Sequence, residues 1–239
     1  MKPPLIAITV SLSLMILCGC SDVISEGLTA DCQEKFELGD YKGVIADCDK
    51  ALRFDPENKK AYTFRGKAKI GLEDYEEAIT DFNVTIKRDP EHKTAYLWRG
   101  LAKSGLDDYE GAINDYNKAI KLDPEFKSAY SWRGWAKVIL EDYHGAINDY
   151  NKVIEFDPEY KNAYVSRGRA KYGLDDFEEA ITDYNMAIKL DPEDKDAYLF
   201  RGLAKSGLRD YGGACLDWSK SSELGNDSAD ELILSQHCN

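Results

Sequence analysis

The stretch from Ala95 to Pro124, AYLWRGLAKSGLDDYEGAINDYNKAIKLDP, is echoed along almost the whole chain. Its closing Asp-Pro pair recurs at Asp55-Pro56, Asp89-Pro90, Asp123-Pro124, Asp157-Pro158 and Asp191-Pro192, every 34 residues and without slippage. A fixed period of this length marks a stacked repeat array, in which each unit touches mainly its neighbours and the core is a seam. With the proline placed at repeat position 32, six units follow: 25–58, 59–92, 93–126, 127–160, 161–194 and 195–228.

Each unit reads as two helices. The first carries small and aromatic residues at helical spacing, as in Tyr62, Gly66 and Ala68 or Tyr96, Gly100 and Ala102. The second opens at an acidic residue before an aromatic. Asp74-Tyr75-Glu76-Glu77 and Asp176-Phe177-Glu178-Glu179 predict capping boxes, with Asp as the N-cap and Glu three residues on. Ala78, Ile79 and Phe82 supply the apolar face that follows. Every proline beyond the N-terminal segment sits in an Asp-Pro pair, so none interrupts a helix. The acidic doublets Glu73-Asp74, Asp107-Asp108, Glu141-Asp142 and Asp175-Asp176 lack the alternating ligands and turn glycine of a calcium loop and read as caps and turns.

The composition, 43% apolar and 31% charged, is globular. A formal charge of −13 argues against a phosphate-binding surface, hence against nucleic acid, and against electrostatic adhesion to anionic lipid. His92, His144 and His237 are scattered without metal-ligand spacing. No Gly-rich phosphate loop or nucleophile elbow is present. The expectation is a non-enzymatic chain with no catalytic residue, metal or cofactor.

Residues 1–19 read as an address. Met1 and Lys2 precede an uncharged run from Leu5 to Leu17, shorter than the roughly 20 residues of a membrane span and matching the apolar region of a secretory signal. The run ends in Leu17-Cys18-Gly19-Cys20, which resembles the lipobox of bacterial lipoproteins. That resemblance implies cleavage after Gly19, lipid attachment at Cys20 and a short tether over 20–24. Ser21 is the outer-membrane-like choice, which would place the protein in the cell envelope, facing the periplasm, held to the membrane by lipid alone. A plain cleaved signal and an uncleaved anchor are the alternatives.

Tyr96, Gly100, Ala112, Tyr116, Ala119 and Pro124 carry a second resemblance, to the tetratricopeptide repeat. It covers 25–228 and implies an all-α, right-handed superhelix (an α-solenoid) of six helix-turn-helix units. A capping helix and tail over 229–239 would close it, with Leu232 and Ile233 covering the last hairpin. Two positions depart from the family: Arg65, Arg99, Arg133, Arg167 and Arg201 replace the usual leucine, and Lys69, Lys103, Lys137, Lys171 and Lys205 the usual tyrosine. Asp81, Asp115, Asp149, Asp183 and Asp217 form a parallel row, so a ladder of structural pairs is expected, with a basic binding strip as the alternative.

The family resemblance also implies a concave wall. Position 6 there holds Phe64, Trp98, Trp132 and Phe200; position 9 holds Lys67, Leu101, Trp135, Arg169 and Leu203. Gly71, Gly105, Gly173 and Gly207 would leave room beside them. The expected partner is a protein or peptide segment in this groove, contacted by Phe64, Trp98, Leu101, Trp132, Trp135, Phe200 and Leu203. Packing between repeats is the alternative for these side chains. A Lys/Asn carboxylate clamp is not supported, since position 5 holds Thr63, Leu97, Ser131, Val165 and Leu199. Cys32 and Cys48, at positions 8 and 24, would face each other, and Cys215 would meet Cys238 on the returning cap. In an exported chain, disulfides 32–48 and 215–238 are therefore expected, against four free thiols. A second functional reading is a structural assembly factor acting through its convex face, ends or self-association. The sequence leaves the oligomeric state open.

Overall fold

The computed structural model describes the backbone from residue 6 to residue 235, side chains from residue 21, and residue 238. The segment 1–19 and the lipid attachment expected at Cys20 lie outside the residues whose side chains are described, as does His237. Among the described residues there are thirteen α-helices and no strand. They divide into two units, residues 1–122 and 123–239.

The first unit holds α1 (Ile6–Glu37), α2 (Tyr41–Phe54), α3 (Lys59–Gly71), α4 (Tyr75–Arg88), α5 (Lys93–Gly105) and α6 (Tyr109–Leu122). They pair as hairpins α1/α2, α3/α4 and α5/α6, with α2 on α3 and α4 on α5. The second unit holds α7 (Lys127–Ile139), α8 (Tyr143–Phe156), α9 (Lys161–Tyr172), α10 (Phe177–Leu190), α11 (Lys195–Gly207), α12 (Tyr211–Glu223) and α13 (Asp227–Ser235). Here α7/α8, α9/α10 and α11/α12 form hairpins, and α13 packs on α12. Among the described residues no helix is long and apolar enough to cross a membrane.

The hairpin interiors are knobs in glycine sockets. The ring of Phe82 lies against Gly66, Tyr116 against Gly100, Tyr150 against Gly134, Tyr184 against Gly168 and Trp218 against Gly202. A Cβ at any of these glycines would fall within about 3 Å of the ring, closer than the 3.5–4.0 Å of a good carbon contact. The glycine is there to let the helices approach, at a propensity cost of about 1 kcal/mol against alanine. In the first hairpin the same two positions are Cys32 and Cys48, both fully buried and bridged with a Cα–Cα distance of 5.9 Å. Cys215 and Cys238 are bridged at 5.5 Å, beside the cluster of Ala214, Trp218 and Ala229 that also takes in Leu232 and Ile233 of α13.

The acidic doublets resolve into two jobs. Glu73, Asp107, Glu141 and Asp175 each take a left-handed backbone, φ 60–66°, just past the first helix of a hairpin. Gly39 does so in the first hairpin and Arg209 in the last. Asp74 N–H then donates to Lys69 O and Glu73 N–H to Ile70 O, the paired bonds of a Schellman turn. The second residue of each doublet is the N-cap of the next helix. Asp40, Asp108, Asp142 and Asp210 accept from the N–H of Gly43, Gly111, Gly145 and Gly213 at 2.9–3.0 Å.

The capping boxes expected at Asp74 and Asp176 do not form: neither side chain makes a cap bond. The reason is steric. In the bonded caps of the second helices the third residue is glycine, and a Cβ there would lie 2.0–2.2 Å from the Asp Oδ2. Glu77 and Glu179 carry that Cβ, so with the cap backbone at ψ 63–64° the carboxylate cannot settle as it does beside the glycines, whereas Asn58 and Asp194, at ψ 93–95°, cap across alanine.

Candidate functional site

Arg65, Arg99, Arg133, Arg167 and Arg201 each grip the aspartate sixteen residues on, with Nε to Oδ2 at 2.8–3.0 Å and Nη2 on the other oxygen. Lys69, Lys103, Lys137, Lys171 and Lys205 add Nζ to the same carboxylates at 2.8 Å. The aspartates are buried, so each carboxylate would be costly alone and is held by two cations. The guanidinium's remaining nitrogen reaches back one hairpin: Arg99 to Asn83 at 2.7 Å, Arg167 to Asn151 at 2.6 Å and Arg201 to Asn185 at 2.7 Å. These basic residues are therefore spent on the scaffold, and the planar, forked guanidinium suits the three-way link. In the first hairpin Lys35 and Lys50 hold buried Asp47 instead.

The glycines expected to leave room beside the groove have another role. Gly71 faces the ring of Tyr41, Gly105 that of Tyr75, Gly173 that of Tyr143 and Gly207 that of Phe177, each with the ring within 2.9 Å of where a Cβ would stand. They are sockets between successive hairpins. The space is filled by a ring whose position the sequence period alone did not reveal.

What is left for recognition is the rest of the first-helix surface. In the first unit, Phe64 is half-buried at the edge of the Cys32, Val44 and Cys48 cluster, and Trp98 at the edge of the Phe82 and Ala95 cluster. Leu101 is half-buried. Lys67 sits among the rings, with Nζ 5.7 Å from the centroid of Phe36, 5.3 Å from Phe64 and 5.0 Å from Trp98. Burial pushes its ammonium below the ordinary lysine range. A cavity of about 640 Å³ opens beside Phe64, walled by Glu26, Thr29, Gln33, Asn58 and Lys60 among others. Asn58 is fixed there, donating to Ser25 and Thr29 Oγ atoms at 2.9 and 3.0 Å while its oxygen caps α3.

In the second unit Trp132 is 40% exposed, and Trp135 meets it edge-on with centroids 6.0 Å apart. Phe200 stacks on Tyr184 at 6.2 Å, and Arg169 lies 4.9 Å over the Phe200 ring. Leu203 is half-buried and packs on the Trp218 cluster with the capping helix. His92 caps α5, its Nδ1 accepting from Ala95 N–H at 3.2 Å, and His144 is exposed. Among the described residues no group of three or more His, Cys, Asp or Glu could hold a metal ion.

Sequence reasoning placed Lys67 and Arg169 at position 9 without giving them a role. At Lys67 the signal was a cation one helical turn from Phe64 at position 6 with no aspartate in register; at Arg169 the same position holds Ser166, and the ring comes from Phe200 of the next hairpin.

Comparison with known proteins agrees with this architecture. Family models described as TPR repeat match residues 105–138 and 168–207, and others described as tetratricopeptide repeat match 64–103 and 128–160, together more than half of the chain. The chain belongs to the tetratricopeptide-repeat family. Among solved structures, MamA is 26% identical with a TM-score of 0.63, covering 68% of this chain and 95% of that one. YrrB, described as a TPR protein with an unusual peptide-binding site, is 19% identical with a TM-score of 0.63, covering 75% and 93%. A tetratricopeptide repeat protein from Parabacteroides merdae ATCC 43184 is 20% identical with a TM-score of 0.67, covering 89% and 84%. No curated protein sequence matches the chain. The family makes this chain a protein–protein interaction module, a class that typically acts by binding and not by catalysis.

Proposed function

We propose that this chain is a non-catalytic, lipid-anchored recognition module that binds an extended or helical segment of a partner protein on its aromatic first-helix faces. The contacts are Phe64, Trp98 and Leu101 in the first unit and Trp132, Trp135, Phe200 and Leu203 in the second. The observation that carries the reading is Trp132: a tryptophan 40% exposed beside a second one. Exposed apolar area of this kind marks interaction sites, and tryptophan is enriched at energetic hot spots. The ladder supports it by exclusion, since Arg and Lys there are engaged with buried aspartates and not free for a ligand.

Acylation at Cys20 would hold the module at a bacterial envelope membrane, the outer one facing the periplasm by the choice of Ser21. Disulfides 32–48 and 215–238 fit that compartment.

The test is capture from envelope extract by the full-length chain in detergent, run beside a Trp98→Ala, Trp132→Ala variant of unchanged helicity. A partner captured by the first and lost by the second supports the reading. Equal capture by both moves recognition to the convex face or the ends and favours a structural assembly factor. Mass spectrometry of the N-terminal peptide tests the anchor: an unacylated Cys20 removes it.

A further inference from the structure

We infer that Lys67, with Arg169 as its counterpart in the second unit, is a carboxylate contact, and that the bound segment carries an acidic side chain beside an apolar one. This rests on the reading of the first-helix faces as the recognition surface and names the chemistry of its partner.

The ladder cations each meet a buried aspartate at 2.8–3.0 Å. Lys67 and Arg169 do not: among the described residues neither side chain makes a hydrogen bond or ion pair. Lys67 is half-buried, and its ammonium is wrapped by the rings of Phe36, Phe64 and Trp98 at 5.0–5.7 Å. A ring face attracts a cation but supplies only about 0.5–2 kcal/mol and accepts no conventional hydrogen bond. An ammonium has three donors to satisfy. Water meets them in the free protein. A ligand that covers the aromatic face displaces that water, and only an anionic acceptor then leaves the ammonium compensated. Arg169 is a partial counterpart, exposed and with its guanidinium 4.9 Å above the single ring of Phe200.

A basic segment would instead set like charges together over a desolvated ring, which costs affinity. The chain's own formal charge of −13 opposes an acidic partner at long range. Such a partner gains from added salt in its approach and from Lys67 only once docked.

The shared chemistry is a carboxylate, from an Asp or Glu side chain or from a C-terminus. The experiment uses an immobilised random dodecapeptide library in two forms, C-terminally amidated and C-terminally free, probed with the full-length chain in detergent. Lys67→Gln, Lys67→Arg and Arg169→Gln variants are compared, each checked by circular dichroism. The expected result is selection of Asp or Glu next to aromatic or aliphatic residues in both forms. Lys67→Gln should bind these peptides roughly tenfold to a hundredfold more weakly, the range for losing one charged hydrogen-bond partner. Lys67→Arg should keep most of the affinity, and replacing the acid by its amide in a selected peptide should cancel the difference between wild type and Lys67→Gln. Selection only in the free form assigns the contact to a C-terminal carboxylate. Selection of neutral or basic peptides, or equal binding by Lys67→Gln, overturns the inference and leaves the recognition face standing. Binding of no peptide by the wild type overturns both.

Discussion

Alanine for glycine should have opposite signs at two helical positions of the second unit. At Gly168, in α9, a Cβ would stand 2.6 Å from Tyr184 Cε1 and 2.9 Å from Cζ. A comfortable carbon contact needs about 3.5–4.0 Å, so the ring must retreat by about 1 Å. It has nowhere to go: Tyr184 is fully buried and stacks on Phe200. Overpacking of this kind costs about 1–3 kcal/mol, and the better helix propensity of alanine returns about 1. Gly168→Ala should therefore lose up to about 2 kcal/mol. At Gly212, exposed in the first turn of α12, a Cβ would meet nothing within 4 Å beyond its own helical backbone. There the propensity term stands alone, and Gly212→Ala should gain from a few tenths to about 1 kcal/mol. Urea denaturation followed by circular dichroism reads both. Placing Gly168→Ala in a Tyr184→Leu background should shrink its penalty, since a contact, not the helix, is its source. A Gly168→Ala protein as stable as the Gly212→Ala one would refute the socket argument.

Three further outcomes follow from single positions. Tyr116→Phe should cost about 1 kcal/mol by losing the 3.2 Å bond to Ser104 Oγ, whereas Tyr184→Phe, whose buried hydroxyl has no hydrogen-bond partner among the described residues, should be neutral or stabilising in the same melt. Asp175→Gly, at a left-handed residue with φ 60°, should stabilise by up to about 1 kcal/mol, and Gly39→Ala, at φ 75°, should destabilise by a similar amount. Asp47, bonded by Lys35 and Lys50, and Asp89, bonded by Lys59, are held below the usual carboxylate range. Their contribution is full above the unfolded-state pKa of about 4 and is lost as pH falls through the lower folded-state values. Urea midpoints should therefore be flat near neutrality and drop below about pH 4, and a midpoint that rises there would contradict the assignment.

The repeat period, the two helices per unit and the register of Arg with Asp sixteen residues later were all legible in the sequence, because each depends on spacing along one hairpin. The pairing of Cys32 with Cys48 was implied by the family resemblance, in which positions 8 and 24 face each other; in the structure they replace the socket glycine and its aromatic knob. Three features were decided only by the tertiary structure. The glycines at 71, 105, 173 and 207 turned out to seat rings from the preceding hairpin. The cap bonds at Asp74 and Asp176 failed because a neighbouring Cβ took the space. Lys67 drew its surroundings from three hairpins at once, with Phe36 before it and Trp98 after it. A repeat period fixes what lies above and below a residue only where the neighbouring units carry the same side chains. At position 9 they do not, so the environment of that ammonium is a sum of local departures that becomes readable only when the helices are packed.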